Sequence, residues 1–428
     1  MRAASHDPQL SGPFRCLWAA TASANLADGT ILTLLPLLAL TITDAPGEVA
    51  AVTVSGTAAW AIFGLPGGWL VDVVDRRRLL VVVNVSRALL LLTLMAVWSV
   101  LGGSLPILIS LALLLGMGEV LADSSFTALV PEVVPPVLRG RANARIETTI
   151  NVLNQLAGPP LAGLLLGFGV IAASGLPAAL YLLAVPALLL MGRRAGSPRI
   201  GPRDRGRRHA KRGAWHAELT SGIRLLWRIP MLRSLTVLTA GMNLVWATWG
   251  ALFVIYAVGP GGLGLTSIGY GVLLGGMALG GVLVAPVIDT AVRRVGVRWV
   301  LFADLLGTIF LVAPVAAGLG LAPVAIGLTI AGAGATVWRT VVATLRQNLV
   351  PQASLGRVYA ASRLLSWGVI PIGAAAAGLI AEGFGVRVAF FAAMLVAVSV
   401  LCGFLLSLRH TDLEKPYVKA QDEEEPEG

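Results

Sequence analysis

The sequence predicts an all-α membrane protein with twelve transmembrane helices, arranged as two pseudo-symmetric six-helix bundles. Three observations carry this expectation. Of 428 residues, 56% are hydrophobic and 13% charged, and the mean hydropathy is +0.82. Soluble domains carry about 25% charged residues, so a water-soluble globule is excluded. The apolar residues arrive in runs of roughly twenty, the length a helix needs to cross a bilayer. Finally, two long stretches of the chain repeat one another.

Taken in order, the apolar runs cover 14–41, 49–70, 79–101, 106–130, 148–170, 175–191, 232–257, 268–288, 299–319, 322–345, 364–381 and 388–408. The first is too long for a cleavable signal peptide and lacks a small-residue cleavage site, so it is expected to stay as a span. The sixth is short because Pro177 and Pro186 interrupt it. Orientation follows from the basic residues. The connections after spans 2, 4, 8 and 10 carry Arg76, Arg77 and Arg78; Arg139, Arg141 and Arg145; Arg293, Arg294 and Arg298; and Arg346, Arg357 and Arg363. The opposite connections hold Asp44, Glu48 and Glu382, with Arg387 as their only basic residue. The positive-inside rule places both termini in the cytoplasm of a cell whose plasma membrane the chain crosses.

The domain plan reads as a six-helix bundle over 1–191, a cytoplasmic basic linker with an amphipathic segment over 192–230, a second bundle over 231–409 and an acidic tail over 410–428. The linker opens with RRAGSPRIGPRDRGRRHAKR, too rich in glycine, proline and arginine to order by itself, and suited to anionic lipid. The formal charge of +10 raises nucleic acid as a partner, but the basic residues lie in short segments between apolar runs, without aromatic interleaving.

Laying 116–173 over 332–389 gives 13 identities in 58 positions, among them Pro135 with Pro351, Gly140 with Gly356 and Arg141 with Arg357. Gly167-Phe168-Gly169-Val170 recurs as Gly383-Phe384-Gly385-Val386. This pattern indicates a duplicated six-helix unit, and two such units around a midplane site are the physical pattern of a secondary transporter.

After span 2 comes GGWLVDVVDRRRLL, containing Gly68, Asp72, Asp75, Arg76, Arg77 and Arg78. Glycine near a helix end permits close packing, and acids beside arginines in a tight turn can build a charge network that opens and closes as a cytoplasmic gate. The plain alternative is a positive-inside loop. Here the chain resembles the major facilitator superfamily, whose corresponding loop has glycine, aspartate and then arginines. The variant with Asp75 before the basic run resembles the drug-exporter branch that holds macrolide-efflux and enterobactin-exporter-like proteins. Asp289 with Arg293 and Arg294 is a weaker copy in the second half. Span 5 contains Asn154-Gln155-Leu156-Ala157-Gly158-Pro159-Pro160-Leu161-Ala162-Gly163, which resembles the antiporter motif of exporters in that family. Gly158, Pro159 and Gly163 match it, whereas Asn154 and Ala162 stand where the motif usually has glycine. Packing alone is the other explanation for these small residues.

Ionisable residues inside spans are expensive, about 2.5–3.5 kcal/mol each on insertion scales, and point to the working site. Asp28 lies mid-depth in span 1, Glu119 and Asp123 lie one helical turn apart in span 4, and Arg339 lies in span 10. Asp28, with Asn25 a turn earlier, is the first candidate for the group that gains and loses a coupling proton, with Glu119 and Asp123 as further candidates. The resemblance implies the same, since span 1 of many proton-coupled exporters of this branch has an acid followed by glycine, as in Asp28-Gly29. Asp123 and Arg339 occupy equal repeat positions, which suggests opposite charges on facing helices, either in the transport cavity or as a purely structural salt bridge. Arg87 and Asp304, 217 residues apart, look like latch partners near the cytoplasmic ends of spans 3 and 9. In span 7, Asn243 and Trp246, with Trp249 less squarely, follow helical spacing and could line a cavity for a flat lipophilic or cationic solute. A lipid-facing position is the alternative for Trp249.

The expected function is proton-coupled export of amphipathic small molecules such as drugs or siderophores by a monomer in contact with membrane lipid, without cofactor, metal or nucleic acid. A proton-symport importer and a lipid exporter use the same fold and stay open. An intramembrane enzyme is disfavoured, since the four histidines lie outside the spans and no metalloprotease motif occurs. No phosphate-cradling loop of an ATP-driven pump is present either.

Overall fold

The computed structural model describes residues 11–135, 138–191, 214–408 and 413. Its regular elements are all helical. The predicted disordered linker and most of the acidic tail lie outside the described residues. In chain order the helices are α1 (Gly12–Leu40), α2 (Pro46–Val73), α3 (Arg76–Leu101), α4 (Leu105–Val133), α5 (Arg139–Thr149), a π-helix (Ile150–Ala157), α6 (Gly158–Gly167) and α7 (Val170–Leu190). Then follow α8 (Ala214–Arg228), α9 (Pro230–Val258), α10 (Ser267–Val284), a 3-10 turn (Ala285–Val287), α11 (Ile288–Val295), α12 (Val297–Ala316), α13 (Leu321–Leu349), α14 (Gln352–Trp367), α15 (Ile370–Phe384) and α16 (Val386–Ser407).

Ten helical segments of the described residues are long and apolar enough to cross a membrane. The two remaining predicted runs fall on α2 and on the interrupted series α5, π-helix and α6. The sixth run is longer than expected: α7 passes through Pro177 and Pro186 without a break. In a membrane helix neighbouring groups satisfy the carbonyls that proline frees, so proline ends such helices less often than soluble ones.

Two compact units are present. The first comprises 1–43, 55–199 and 265–275, and the second 44–54, 200–264 and 276–428. In the first, α1 is buried nearly all round, from Phe14 to Ala39. Ser11 starts it by accepting from the Phe14 amide at 3.3 Å while its own hydroxyl donates to the Val133 carbonyl at 2.9 Å. Helix α3 shows why the sequence packs this way. Leu80, Val83, Asn84, Arg87, Ala88, Leu91 and Leu94 recur at three- and four-residue spacing and are buried, whereas Val82, Leu89 and Val100 are exposed as an apolar face for lipid. An arginine thus sits on the inward face of a lipid-contacting helix.

In the second unit α9, α11, α12, α13 and α16 share one core, which includes Leu235, Leu238, Leu301, Leu305, Trp338, Val341 and Phe404. The amphipathic segment expected at the end of the linker forms α8, whose Leu226 packs with Leu232 of α9 and with Val358 and Ala361 of α14. The sequence repeat has a backbone counterpart. Gly169 and Gly385, equal positions of the two Gly-Phe-Gly-Val copies, both turn at positive φ, 101° and 90°, before α7 and α16. Only glycine adopts that conformation without strain.

Candidate functional site

The first unit encloses a cluster of ionisable side chains. Asp28 on α1 forms an ion pair with Arg87 on α3, and the Tyr181 hydroxyl on α7 donates to the same carboxylate oxygen at 2.6 Å. The Arg87 guanidinium also stands 4.2 Å over the Tyr181 ring. Asp28 is 8% exposed, Arg87 2% and Tyr181 0%, so this contact is removed from solvent. Arg87 reaches Asp28 because α4 offers no side chain at Gly118: a Cβ there would lie 2.7 Å from Cδ of the arginine. Nε and Nη1 of Arg87 have no hydrogen-bond partner among the described residues. Glu119, next to Gly118, is within electrostatic reach of Asp28, Arg87 and Asp123, and it accepts a hydrogen bond from Trp60 on α2. One arginine therefore has two carboxylates in reach, Asp28 and Glu119.

The carboxylate helix is wedged against the interrupted helix of span 5. A Cβ at Gly29 would collide with the Asn154 backbone, and one at Gly158 would meet Cα of Gly29 at 2.7 Å and the Thr30 nitrogen at 2.9 Å. Asn154, where the antiporter-like motif usually has glycine, contributes backbone to this contact. The π-helix ends at Ala157, immediately before Gly158-Pro159-Pro160, and the Gly158 amide bonds Leu153 five residues back. Proline has no N–H and its ring crowds the carbonyl four residues earlier, which widens the preceding turn. Gly163 and Pro159 pack against the start of α10: backbone lies too close for a Cβ at Gly163, beside Ser267, or at Gly271, beside Pro159.

The loop after α2 is tied within the first unit. Asp75 caps α3, accepting from the Arg78 amide at 2.9 Å. Arg76 pairs with Glu132 on α4, and Arg77 donates to the last carbonyls of α7, Leu188 at 2.7 Å and Leu189 at 2.6 Å. Gly68 has open space where a Cβ would stand; the close approach is made by its neighbour Gly67, 3.3 Å from Val120 and Leu121. The Asp72 side chain lies outside the described residues. In the second unit α11 has Asp289 in its first turn and Arg293 and Arg294 in its last, the arrangement a helix dipole favours.

The remaining sequence candidates separate. Asn25 donates to Thr21 of its own helix at 2.9 Å, and Asn243 donates to the Ser366 carbonyl at 2.6 Å, tying α9 to α14. Trp249 is buried, which sets aside a lipid-facing position: it stacks on Phe253 at 5.2 Å and meets Trp246 edge-on at 5.7 Å. Asp123 is half-buried in the first unit, and Arg339 is exposed in the second. Arg87 and Asp304, expected as latch partners, are placed differently within their own units: Arg87 is bound to Asp28, and Asp304 is buried in the second unit's core with no ion-pair partner among the described residues. Sequence reasoning missed Tyr181 and Trp60 and misplaced Arg87. The available signal was depth: Arg87 is the twelfth residue of α3, about 16 Å along the helix, too deep for a cytoplasmic end.

Residues 17–366 match the family model described as Major Facilitator Superfamily. The chain is 30% identical over 380 residues to an uncharacterised MFS-type transporter, y4rN, of Sinorhizobium fredii, covering 87% of this chain and 89% of that protein. It is 26% identical over 431 residues to the multidrug efflux pump Tap of Mycolicibacterium fortuitum, covering 94% of this chain and 98% of the pump. Among solved structures, a bacterial homologue of the iron transporter ferroportin in its inward-facing state superposes with a TM-score of 0.72 at 16% identity, over 94% of this chain and 99% of that one. A variant of the nucleoside transporter NupG gives 0.71 at 10% identity, over 92% and 99%. At these identities the structures share the fold.

Proposed function

The chain belongs to the major facilitator superfamily of multi-pass membrane transporters, and we propose that it exports amphipathic small molecules from the cytoplasm, across the cell membrane, in exchange for protons. The observation that carries this reading is the ion group of the first unit, in which Arg87 pairs with Asp28 and has Glu119 within electrostatic reach, while Asp123 is in reach of Glu119. Two ionised carboxylates beside one cation leave excess negative charge in a low-dielectric interior, a cost that binding a proton removes. Asp28 is committed to Arg87 and Tyr181. Glu119, held by the Trp60 indole and next in reach of the arginine, is the group placed to take and give the proton. When Glu119 loses its proton it competes with Asp28 for Arg87, which loosens α1 from α3. Proton transfer is thereby converted into helix movement.

The energetics suffice. An inward proton supplies about 2.3 kcal/mol per 100 mV of membrane potential and about 1.4 kcal/mol per pH unit. The similarity to the efflux pump Tap supports the outward direction, and the Trp246, Trp249 and Phe253 series supports a flat lipophilic substrate.

The test uses energised everted vesicles and a pH-sensitive dye, with a panel of lipophilic drugs and siderophores added in turn. Wild-type chain is expected to release protons on addition of a substrate, and Glu119→Gln and Asp28→Asn to lose that release. Substrate-driven release that is intact in both variants, or substrate movement without protons, overturns the reading.

A further inference from the structure

The second unit contains a carboxyl that the coupling cluster does not use. Asp304 is the eighth residue of α12, 3% exposed, on the face it shares with the buried Leu301, Thr308 and Leu311. It lies on α13 at Gly334, where a Cβ would come 3.1 Å from its Cγ and closer still to Oδ1. Oδ2 has no hydrogen-bond partner among the described residues.

Among the described residues no cation neutralises it. On its own helix, Arg298 donates to the Leu408 carbonyl at 2.6 Å. On α13, Arg339 is exposed and Arg346 stands 5.3 Å over the Tyr359 ring. Arg233 on α9, Arg387 on α16 and Asp289, Arg293 and Arg294 on α11 are exposed. None of these is within electrostatic reach of the carboxyl. An ionised carboxylate so enclosed has neither water nor counter-charge, whereas a neutral carboxylic acid is tolerated there.

We propose that Asp304 is a second proton-binding site of the chain, occupied in the conformation described here. The inference goes beyond the coupling reading, because it does not depend on which substrate moves or in which direction.

Infrared difference spectroscopy on the purified full-length chain in lipid nanodiscs tests it. At neutral pH, wild type minus Asp304→Asn is expected to show one carboxylic-acid carbonyl band that shifts in heavy water. Absence of that band overturns the proposal. If Asp304→Asn does not fold, Asp304→Glu serves, and the same band is expected to change frequency; an unmoved spectrum is equally adverse. A second readout is the melting temperature against pH. A proton held in the folded state and lost on unfolding makes stability fall as pH rises. Wild type is expected to lose melting temperature on alkalinisation relative to Asp304→Asn, and a constant difference between the two overturns the proposal. Neither measurement requires transport, so failure of the exporter reading and failure of this one are distinguishable.

Discussion

The repeat places Arg87 in the first unit and Asp304 in the second at nearly equivalent positions, and both lie against a glycine of the following span, Gly118 and Gly334, themselves 216 residues apart. The packing device is conserved between the two halves, and the electrostatics are not. In the first unit the arginine is bound by Asp28 and covered by Tyr181, with Glu119 also in reach. In the second the ionisable group has no charged partner among the described residues of an apolar core. The same small-residue socket occurs in both units, and side-chain chemistry makes one socket a charge cluster and the other a site for a neutral acid.

The comparison can be broken most directly at Arg87. Arg87→Leu leaves Asp28 and Glu119 without a cation and is expected to cost about 3–5 kcal/mol, read as a large drop in melting temperature in micelles, with transport lost. Adding Asp28→Leu should recover part of that loss, since the double variant removes the charge the first one orphaned. A double variant no more stable than Arg87→Leu alone would show that the pair contributes only packing.

Next in size is the wedge that positions the carboxylate helix. Gly29→Ala brings a methyl into the Asn154 backbone, and overpacking of this kind costs about 1–3 kcal/mol. The same substitution at Gly68, which faces open space, is expected to leave the melting temperature nearly unchanged. Tyr181→Phe removes a buried hydrogen bond to a carboxylate and should cost about 1–2 kcal/mol while keeping the ring under Arg87. The smallest effect is expected in the other socket. Asp304→Leu removes no partnered group, and its stability at neutral pH should stay within about 1 kcal/mol of wild type. A loss there as large as that of Arg87→Leu would mean that the two sockets are energetically alike, and the contrast would fall.

Much of the fold was legible because hydropathy acts on runs. Twenty apolar residues read as a span whatever they touch, and all twelve predicted runs fall on helical segments. The glycine motif that recurs before α7 and α16 was legible for a similar reason, since positive φ is a local demand. The candidate site was legible only as a set of costly residues. Asp28 and Glu119 stood out because each carries charge at depth, and both lie in the cluster. Their partners did not stand out: Tyr181 and Trp60 are ordinary aromatic residues in apolar runs, and nothing local separates a phenol that binds a carboxylate from one that faces lipid. Arg87 was visible but was paired with Asp304, because equal repeat positions were read as facing positions.

By itself the sequence determined the all-helical membrane class and where the apolar helical runs fall, since these depend on transfer of backbone and side chains between water and lipid, additive along the chain. Only the tertiary structure decided which ionisable groups meet. Partner choice depends on helix rotation and on where glycine lets two backbones close, at Gly118 for Arg87, at Gly158 for the Asp28 helix and at Gly334 for Asp304. Those are distances across space between residues far apart in the chain, and no local pattern of residues encodes them.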